Sequence, residues 1–219
     1  PGEIVTISPN KNSHSTEKYW SALDVINMGT ESPFDDSFEE ITDNLEKRLK
    51  KTISQQMMAD VPLGAFLSGG IDSSLVVALM QAQSSRPIKT FTIGFNEAGF
   101  NEAEYAKSVA SHLRTDHTEL YVSSKDALDV IPKLPNLYCE PFADSSQIPT
   151  YLVSSLARQY VTVSLSGDGG DELFCGYNRY IFADKLWKNL KIMPISLRTF
   201  IEKTIKNIPS SGWNRSFKL

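Results

Sequence analysis

Apolar positions along the chain change their period several times, and each change marks an expected element. From Asp36 to about Ala59, Phe38, Ile41, Leu45, Leu49, Ile53 and Met57 recur every three or four positions. That spacing predicts one long amphipathic helix, with Lys47, Arg48, Lys50 and Lys51 on its solvated face. "VPLGAFLS" (61–68) is short and continuously apolar, as a strand buried on both faces of a parallel sheet must be. A helix is expected from about Asp72 to Gln83, a second strand at "IKTFTIGF" (88–95), and a helix at "EAEYAKSVASHL" (102–113). Asn101 and Glu104 supply a cap for the last of these, and Ala106, Val109, Ala110 and Leu113 line one face. The unit repeats with "HTELYV" (117–122) as strand, "KDALDVIPKL" (125–134) as helix, a helix from about Thr150 to Arg158, and "VTVSLS" (161–166) as strand. Strands alternating with helices predict an α/β fold, a doubly wound parallel sheet with helices on both faces. Residues 1–34, with Pro9, Gly29 and Pro33, read as an edge strand or two followed by a linker. The basic amphipathic run "LWKNLKIMPISLRTFIEKTIKNI" (186–208) reads as a solvated helix face, or a seat for further sequence, rather than a membrane anchor.

Composition narrows the function classes. At 219 residues, 41% hydrophobic and 22% charged, the chain is globular, one domain or a domain with a short appendage. A net charge of −4 argues against a nucleic-acid groove, so a phosphate ligand must be held locally. Cys139 and Cys175 have no CxxC spacing; a reducing compartment is expected, a metal–thiolate site is not, and both read as small buried apolar residues. The opening segment has no apolar signal core and no window approaches a membrane span, which predicts a cytoplasmic chain with no membrane partner. The start at Pro1 and the uncapped end "SSGWNRSFKL" both read as cut from something longer.

Two glycine-rich turns carry the candidate chemistry. In "FLSGGIDSS", Ser68 to Ser74 lie where a strand ends and a helix begins, the place where unpaired amides and the helix dipole favour an anion. Gly69 and Gly70 let successive N–H groups converge on phosphate oxygens, and Ser68, Ser73 and Ser74 add hydroxyls. No lysine lies between Val61 and Met80, so this is not the usual triphosphate loop. Asp72 would repel a bare phosphate; it makes sense beside one if it holds Mg2+ bridging the phosphates. The alternative is that Asp72 and Ser73 merely cap the helix. The second turn, Ser166-Gly167-Asp168-Gly169-Gly170-Asp171-Glu172, follows strand "VTVSLS" in the same way. Asp72 and Asp171 could share one hard cation if the turns meet at one sheet edge. A solvated acidic loop or a calcium loop is the competing reading, although no glutamate falls where an EF-hand needs its bidentate ligand.

In order and spacing, "FLSGGIDSS", "KTFTIGF", "NEAEYAKSVASHL", "EPFADSSQIP" and "LSGDGGDELFCGYNRY" resemble the synthetase domain of the glutamine-hydrolysing asparagine synthetases, over about Asp36 to Tyr180. The resemblance implies the adenine nucleotide alpha hydrolase-like fold of the pyrophosphate-loop ATPases, with ATP and Mg2+ as cofactors. It implies that Ser68, Gly69, Gly70, Asp72, Ser73 and Ser74 form the pyrophosphate loop. Leu67 and Ile93 would contact adenosine, Asp72 and Asp171 would carry the metal, and Ser166 and Gly167 would contact nucleotide and intermediate. Asp144 and Ser146 would line the acceptor pocket. Asp168 stands where some members carry a glutamate acting as general base; its shorter side chain is a departure. The implied reaction adenylates the side-chain carboxylate of aspartate, releasing pyrophosphate, after which ammonia displaces AMP to give asparagine.

In this reading residues 1–35 are a linker or remnant of a preceding glutaminase domain, and 36–219 are a C-terminally incomplete synthetase domain. The family's ammonia comes from that glutaminase domain, so glutamine use by this stretch alone is not expected. The family's catalytic lysine has no counterpart that aligns, although Lys185, Lys188 and Lys191 follow "GYNRY", so ATP binding without turnover is one outcome. Oligomeric state is left open, a homodimer included. His117 matches a family position but reads first as a structural group, and Phe174, Tyr177 and Tyr180 fall at helical spacing, as core residues would. Arg179 reads equally as an anion contact or a surface ion pair. Competing functions are an adenylating relative with a sugar-acid or β-lactam acceptor, a transfer-RNA-modifying enzyme, which the acidic balance disfavours, and a non-catalytic scaffold of the same fold.

Overall fold

The structure is a computed structural model that describes residues 2–8, 13–95, 101–140, 143–207 and 209. Pro9, Pro141 and Phe142 of "EPFADSSQIP", and the terminal "SSGWNRSFKL" from Ser210, fall outside them. The chain divides into two compact units, Pro1–Met58 and Ala59–Leu219.

In the first unit, β1 (Glu3–Ser8) and β2 (Ser13–Lys18) pair antiparallel with Glu3 opposite Lys18, in line with the expected strands. The expected linker is instead a helix, α1 (Ala22–Glu31), capped by Ser21, whose hydroxyl accepts the Asp24 N–H at 3.3 Å. Gly29 reads as a breaker in sequence, yet a glycine inside a helix costs only about 1 kcal/mol relative to alanine, which the cap and helical neighbours offset. The long helix α2 (Phe38–Gln56) begins at a capping box: Ser37 Oγ accepts the Glu40 N–H at 3.3 Å, and Glu40 Oε2 accepts the Ser37 N–H at 3.0 Å. Of its predicted apolar stripe only Ile53 is buried.

The second unit runs β3 (Leu63–Phe66), α3 (Ile71–Gln81), β4 (Lys89–Phe95), α4 (Ala103–Leu113), β5 (Asp116–Val122), α5 (Ser124–Leu128), α6 (Leu134–Leu137), α7 (Gln147–Ala157), β6 (Val163–Leu165), α8 (Gly170–Phe174), α9 (Asn178–Leu190) and α10 (Ile195–Lys206). The four strands are parallel, in the order β5-β4-β3-β6. Helices cover both faces: Leu156 and Ala157 of α7 pack with Phe91, while Lys107 of α4 reaches Glu119, whose register partner Thr92 points opposite to Phe91. The chain builds outward from β3 to β5 and then returns to lay β6 on the other side of β3. This reversal of strand order leaves the carboxyl ends of β3 and β6 side by side, where α/β sheets bind their ligands.

Proline and glycine placement accounts for most differences from the expected elements. The helix expected over 125–134 is broken into α5, a 3-10 turn at Ile131–Lys133 and α6, with Pro132 and Pro135 each opening a new segment. Pro149 falls in the first turn of α7, where a missing N–H costs nothing, so that helix starts at Gln147 rather than near Thr150. Glu102 is the cap residue of α4, and Asn101 contributes by accepting the Ala103 N–H at 3.3 Å. Phe174, Tyr177 and Tyr180 do not share a helix face: α8 ends at Phe174, Cys175 takes a left-handed conformation (φ 60°), and Gly176 follows. Cys139 and Cys175, expected to be buried, are both exposed free thiols.

Candidate functional site

The first turn leaves β3 through Leu67, whose N–H donates to the Phe91 carbonyl at 2.9 Å and whose side chain is buried. Gly69 then takes φ +82°, and a Cβ there would meet the Ala106 nitrogen and Tyr105 Cβ at 2.6 Å, so only glycine lets the loop lie against the start of α4. Gly70 caps α3 without a side-chain hydrogen bond, and Asp72 and Ser73 are the second and third helical residues. Neither is the N-cap itself, although the Ser73 hydroxyl holds the helix start by donating to the Gly70 carbonyl at 3.2 Å, and the first-turn amides of this 11-residue helix face an anion-binding position. The serines hold the loop: Ser73 Oγ lies 2.9 Å from Ser68 Oγ and accepts the Ser68 N–H at 3.2 Å, and Ser68 Oγ accepts the Gly70 N–H at 3.2 Å. The Ser74 N–H donates to the Gly70 carbonyl at 3.0 Å, while its hydroxyl is buried with no partner among the described residues.

The second turn lies directly on the first. A Cβ on Gly167 would meet the Ser73 nitrogen at 2.6 Å and the Asp72 carbonyl carbon at 2.8 Å, and one on Gly170 would press into the Asp72 carboxyl group. Gly169 takes φ +91° to turn the chain, and the Ser166 hydroxyl donates to Asp168 Oδ2 at 3.0 Å. Beyond α8, the Gly176 N–H donates to the Asp171 carbonyl at 3.1 Å, and a Cβ on Gly176 would collide with the Asp171 carboxyl. Both candidate metal carboxylates thus sit against glycine backbone, Asp72 against Gly170 of the second turn and Asp171 against Gly176 beyond α8, and among the described residues neither is ion-paired.

The turns open onto a cleft of about 960 Å³. Ser68, Gly70, Asp72 and Ser73 line one wall, Ser166, Gly167, Asp168 and Asp171 a second, and Asp144, Ser146 and Thr150 a third. The Ser146 N–H donates to Asp144 Oδ1 at 2.9 Å and, with the Ser146 hydroxyl, holds the Asp144 carboxyl below its usual pKa. At the remaining edge stand Glu172, Phe174, Gly176 and Tyr177. The Tyr177 hydroxyl donates to Glu172 Oε1 at 2.6 Å, which lowers the Glu172 pKa and pushes the phenol up to about 12. The Arg179 guanidinium lies 4.0 Å from the centroid of the Tyr177 ring.

Ten of the fourteen residues singled out from sequence line this one cleft: Ser68, Gly70, Asp72, Ser73, Asp144, Ser146, Ser166, Gly167, Asp168 and Asp171. Leu67, Gly69, Ser74 and Ile93 do not line it: Leu67 is buried, Gly69 faces α4, Ser74 lies on α3 and Ile93 is half-buried on β4. Sequence reasoning missed the edge formed by Phe174 and Tyr177; the glycine between them in "FCGYNRY" was the available sign that the helix stops there. His117 is half satisfied. Its Nδ1 lies 2.8 Å from Thr90 Oγ1, its Nε2 is buried without a partner among the described residues, and burial lowers its pKa.

No group of three His, Cys, Asp or Glu among the described residues could hold a metal ion. Two carboxylates held against glycine backbone suit Mg2+ nonetheless, because that ion binds through one or two carboxylates and takes its other ligands from phosphate oxygens and water.

Comparison with known proteins identifies relatives. The family model described as asparagine synthase matches residues 44–218. A putative asparagine synthetase [glutamine-hydrolyzing] 2 of Methanocaldococcus jannaschii is 43% identical over 155 residues, covering 68% of this chain and 30% of that protein. Asparagine synthetase [glutamine-hydrolyzing] 1 of Bacillus subtilis is 42% identical over 130 residues, 59% of this chain and 20% of its own. A putative Mycobacterium bovis asparagine synthetase [glutamine-hydrolyzing] is 36% identical over 174 residues, 80% of this chain and 26% of its own. The chain therefore spans less than a third of the length of these relatives. Among solved structures, an NMN synthetase from Francisella tularensis aligns with a TM-score of 0.43 and 16% identity, over 65% of this chain and 59% of that one.

Proposed function

Because the chain belongs to the asparagine synthase family, we propose that its cleft adenylates the side-chain carboxylate of aspartate with ATP and presents the product to ammonia, forming asparagine. The observation that carries this reading is the meeting of the two acid-bearing glycine turns with the Asp144–Ser146 segment around one cleft. The first-turn amides of α3 and the hydroxyls of Ser68 and Ser73 hold the β and γ phosphates, replacing the loop's internal hydrogen bonds when nucleotide enters. Asp72 and Asp171 hold Mg2+, which when bound neutralises charge developing on the leaving pyrophosphate.

Ser166 and Gly167 contact the nucleotide beside the start of α3, and Leu67 and Ile93, whose side chains do not line the cleft, would meet adenosine only through their backbone. Asp144 and Ser146 orient the acceptor. Asp168, held by the Ser166 hydroxyl, takes a proton from the attacking ammonia while AMP leaves. The ammonia comes from glutamine through a separate glutaminase domain, joined through residues 1–35 to the synthetase part at 36–219. The relatives' names, all glutamine-hydrolysing, support that source.

The test is aspartate-dependent pyrophosphate release from ATP, supplied with ammonium, by the protein as its gene encodes it. Asparagine formation that drops at least a hundredfold in Asp72→Ala and Asp171→Ala supports the reading. Pyrophosphate release that ignores aspartate but answers to another carboxylate would reassign the acceptor, and no nucleotide turnover in any mixture would remove the enzymatic reading.

A further inference from the structure

The proposed reaction leaves a charge problem in the cleft, and the inference below rests on that reaction. The lining carries Asp72, Asp144, Asp168, Asp171 and Glu172 and, among the described residues, no lysine, arginine or histidine. A nucleoside triphosphate and a dicarboxylic amino acid are both anions, and a wall of carboxylates repels them. A divalent ion between Asp72 and Asp171 offsets this only at the phosphates it bridges. A fixed cation at the acidic edge would offset the repulsion there.

Arg179 is placed for that role. Its guanidinium carbon lies 4.0 Å from the centroid of Tyr177, a ring that lines the cleft, and 5.6 Å from that of Tyr180. Stacking engages the flat face of a guanidinium and leaves its N–H edge free to donate to an oxyanion in a fork. The platform is fixed, because the Tyr177 hydroxyl donates to Glu172 at 2.6 Å. Among the described residues no ion pair holds the Arg179 guanidinium, although its charge acts on Glu172 and helps to lower that carboxyl's pKa, and Arg179 is exposed.

We propose that Arg179, stacked on Tyr177 at the acidic edge of the cleft, is a specificity-determining anchor for a substrate oxyanion, a carboxylate or a phosphate. It selects anionic substrates by supplying the counter-charge that the lining lacks.

The test uses the protein as its gene encodes it, with Arg179→Met and Arg179→Lys, both checked for folding by circular dichroism. Binding of MgATP, magnesium pyrophosphate and adenosine is measured by calorimetry, and of L-aspartate alongside a nonhydrolysable ATP analogue. Arg179→Met is expected to weaken at least one anion tenfold or more and to leave adenosine within twofold. Arg179→Lys should recover only part, since it keeps the charge and loses the planar fork. Weakening of ATP and pyrophosphate with aspartate unchanged assigns a phosphate; the reverse pattern assigns the carboxylate. If all three anions bind a folded Arg179→Met as they bind the parent, or if the parent binds none of them, the anchor is overturned. Arg179-dependent binding without aspartate-dependent pyrophosphate release would instead overturn the proposed reaction and leave the anchor standing.

Discussion

Glycines at the two turns separate what the fold needs from what the site needs. At Gly170 the nearest atoms to an added Cβ belong to the Asp72 side chain: the carboxyl group at 2.4 Å, which can swing aside, and the Cβ at 2.9 Å, which moves only with its backbone, so Gly170→Ala should displace the carboxylate first and the backbone slightly. The expected outcome is a KM for MgATP raised about tenfold, equivalent to about 1.4 kcal/mol, with a smaller loss of Tm than at Gly167. At Gly167 the same methyl meets backbone, the Ser73 nitrogen at 2.6 Å, so Gly167→Ala has to push the turn off the start of α3 and should lower Tm as well. Equal thermal losses in the two variants would show that the turns are not held as close as these contacts imply. His117 belongs to stability instead. Burial lowers its pKa below the usual histidine value near 6.5, with the Glu119 charge opposing the shift. Between that lowered value and 6.5 the unfolded chain binds a proton that the folded one does not, so stability falls as pH drops through this window and is fully present above it. His117→Asn, which keeps a polar atom near Thr90, should flatten the Tm-versus-pH curve in that window; an unchanged slope there would exclude His117 as its source.

Elements were legible where a local pattern and the tertiary need agreed. The run "VPLGAFLS" reads as a doubly buried strand, and Ala65 and Leu67 are in fact buried. Where local signals conflict, the reading fails: Gly29 in sequence cannot be told from a helix end, and it is the Ser32 N–H donating to the Met28 carbonyl at 2.9 Å that shows α1 running through it. The aromatic triple Phe174, Tyr177 and Tyr180 misleads for the opposite reason, since its period of three runs on across Gly176, where the backbone turns out of the helix. Element packing also gives β3 a requirement that no periodicity announces. A Cβ on Gly64 would meet Phe91 Cε2 at 2.7 Å and the Lys89 carbonyl oxygen at 2.9 Å, inside the layer between the sheet and α7. Gly64→Ala should therefore cost about 1–3 kcal/mol by overpacking. For a chain of this size that is a drop in Tm of roughly 2–12 °C, and an unchanged melting curve would mean the layer has slack.

At the scale of the whole molecule, the site was readable turn by turn but its assembly was not, because no local signal says that β6 returns to lie beside β3 after β4 and β5 have been added on the other side. Register settles it: Ala65 is the partner of Leu165, which sets Ser68 and Ser166 just past the ends of neighbouring strands. Two turns about a hundred residues apart in sequence thereby place Asp72 and Asp171 on one cleft. Such a site is unfavourable on its own, since like charges are gathered without a cation among the described lining residues, and its stability should depend on what fills it. Ligand that binds only the folded state stabilises it by about 2.7 kcal/mol at a hundredfold excess over Kd, or roughly 5–11 °C in Tm for 150–250 residues. MgATP should produce a shift of that size, whereas ATP with a chelator, or Mg2+ without nucleotide, should produce little, because two carboxylates and two glycine turns complete a metal site only when phosphate oxygens are present. Asp72→Asn and Asp171→Asn should each remove most of the shift and leave the unliganded Tm unchanged or higher, since each relieves repulsion in the cleft. A shift that survives chelation, or one lost in only one of the two variants, would mean that the two aspartates do not act on a shared ion.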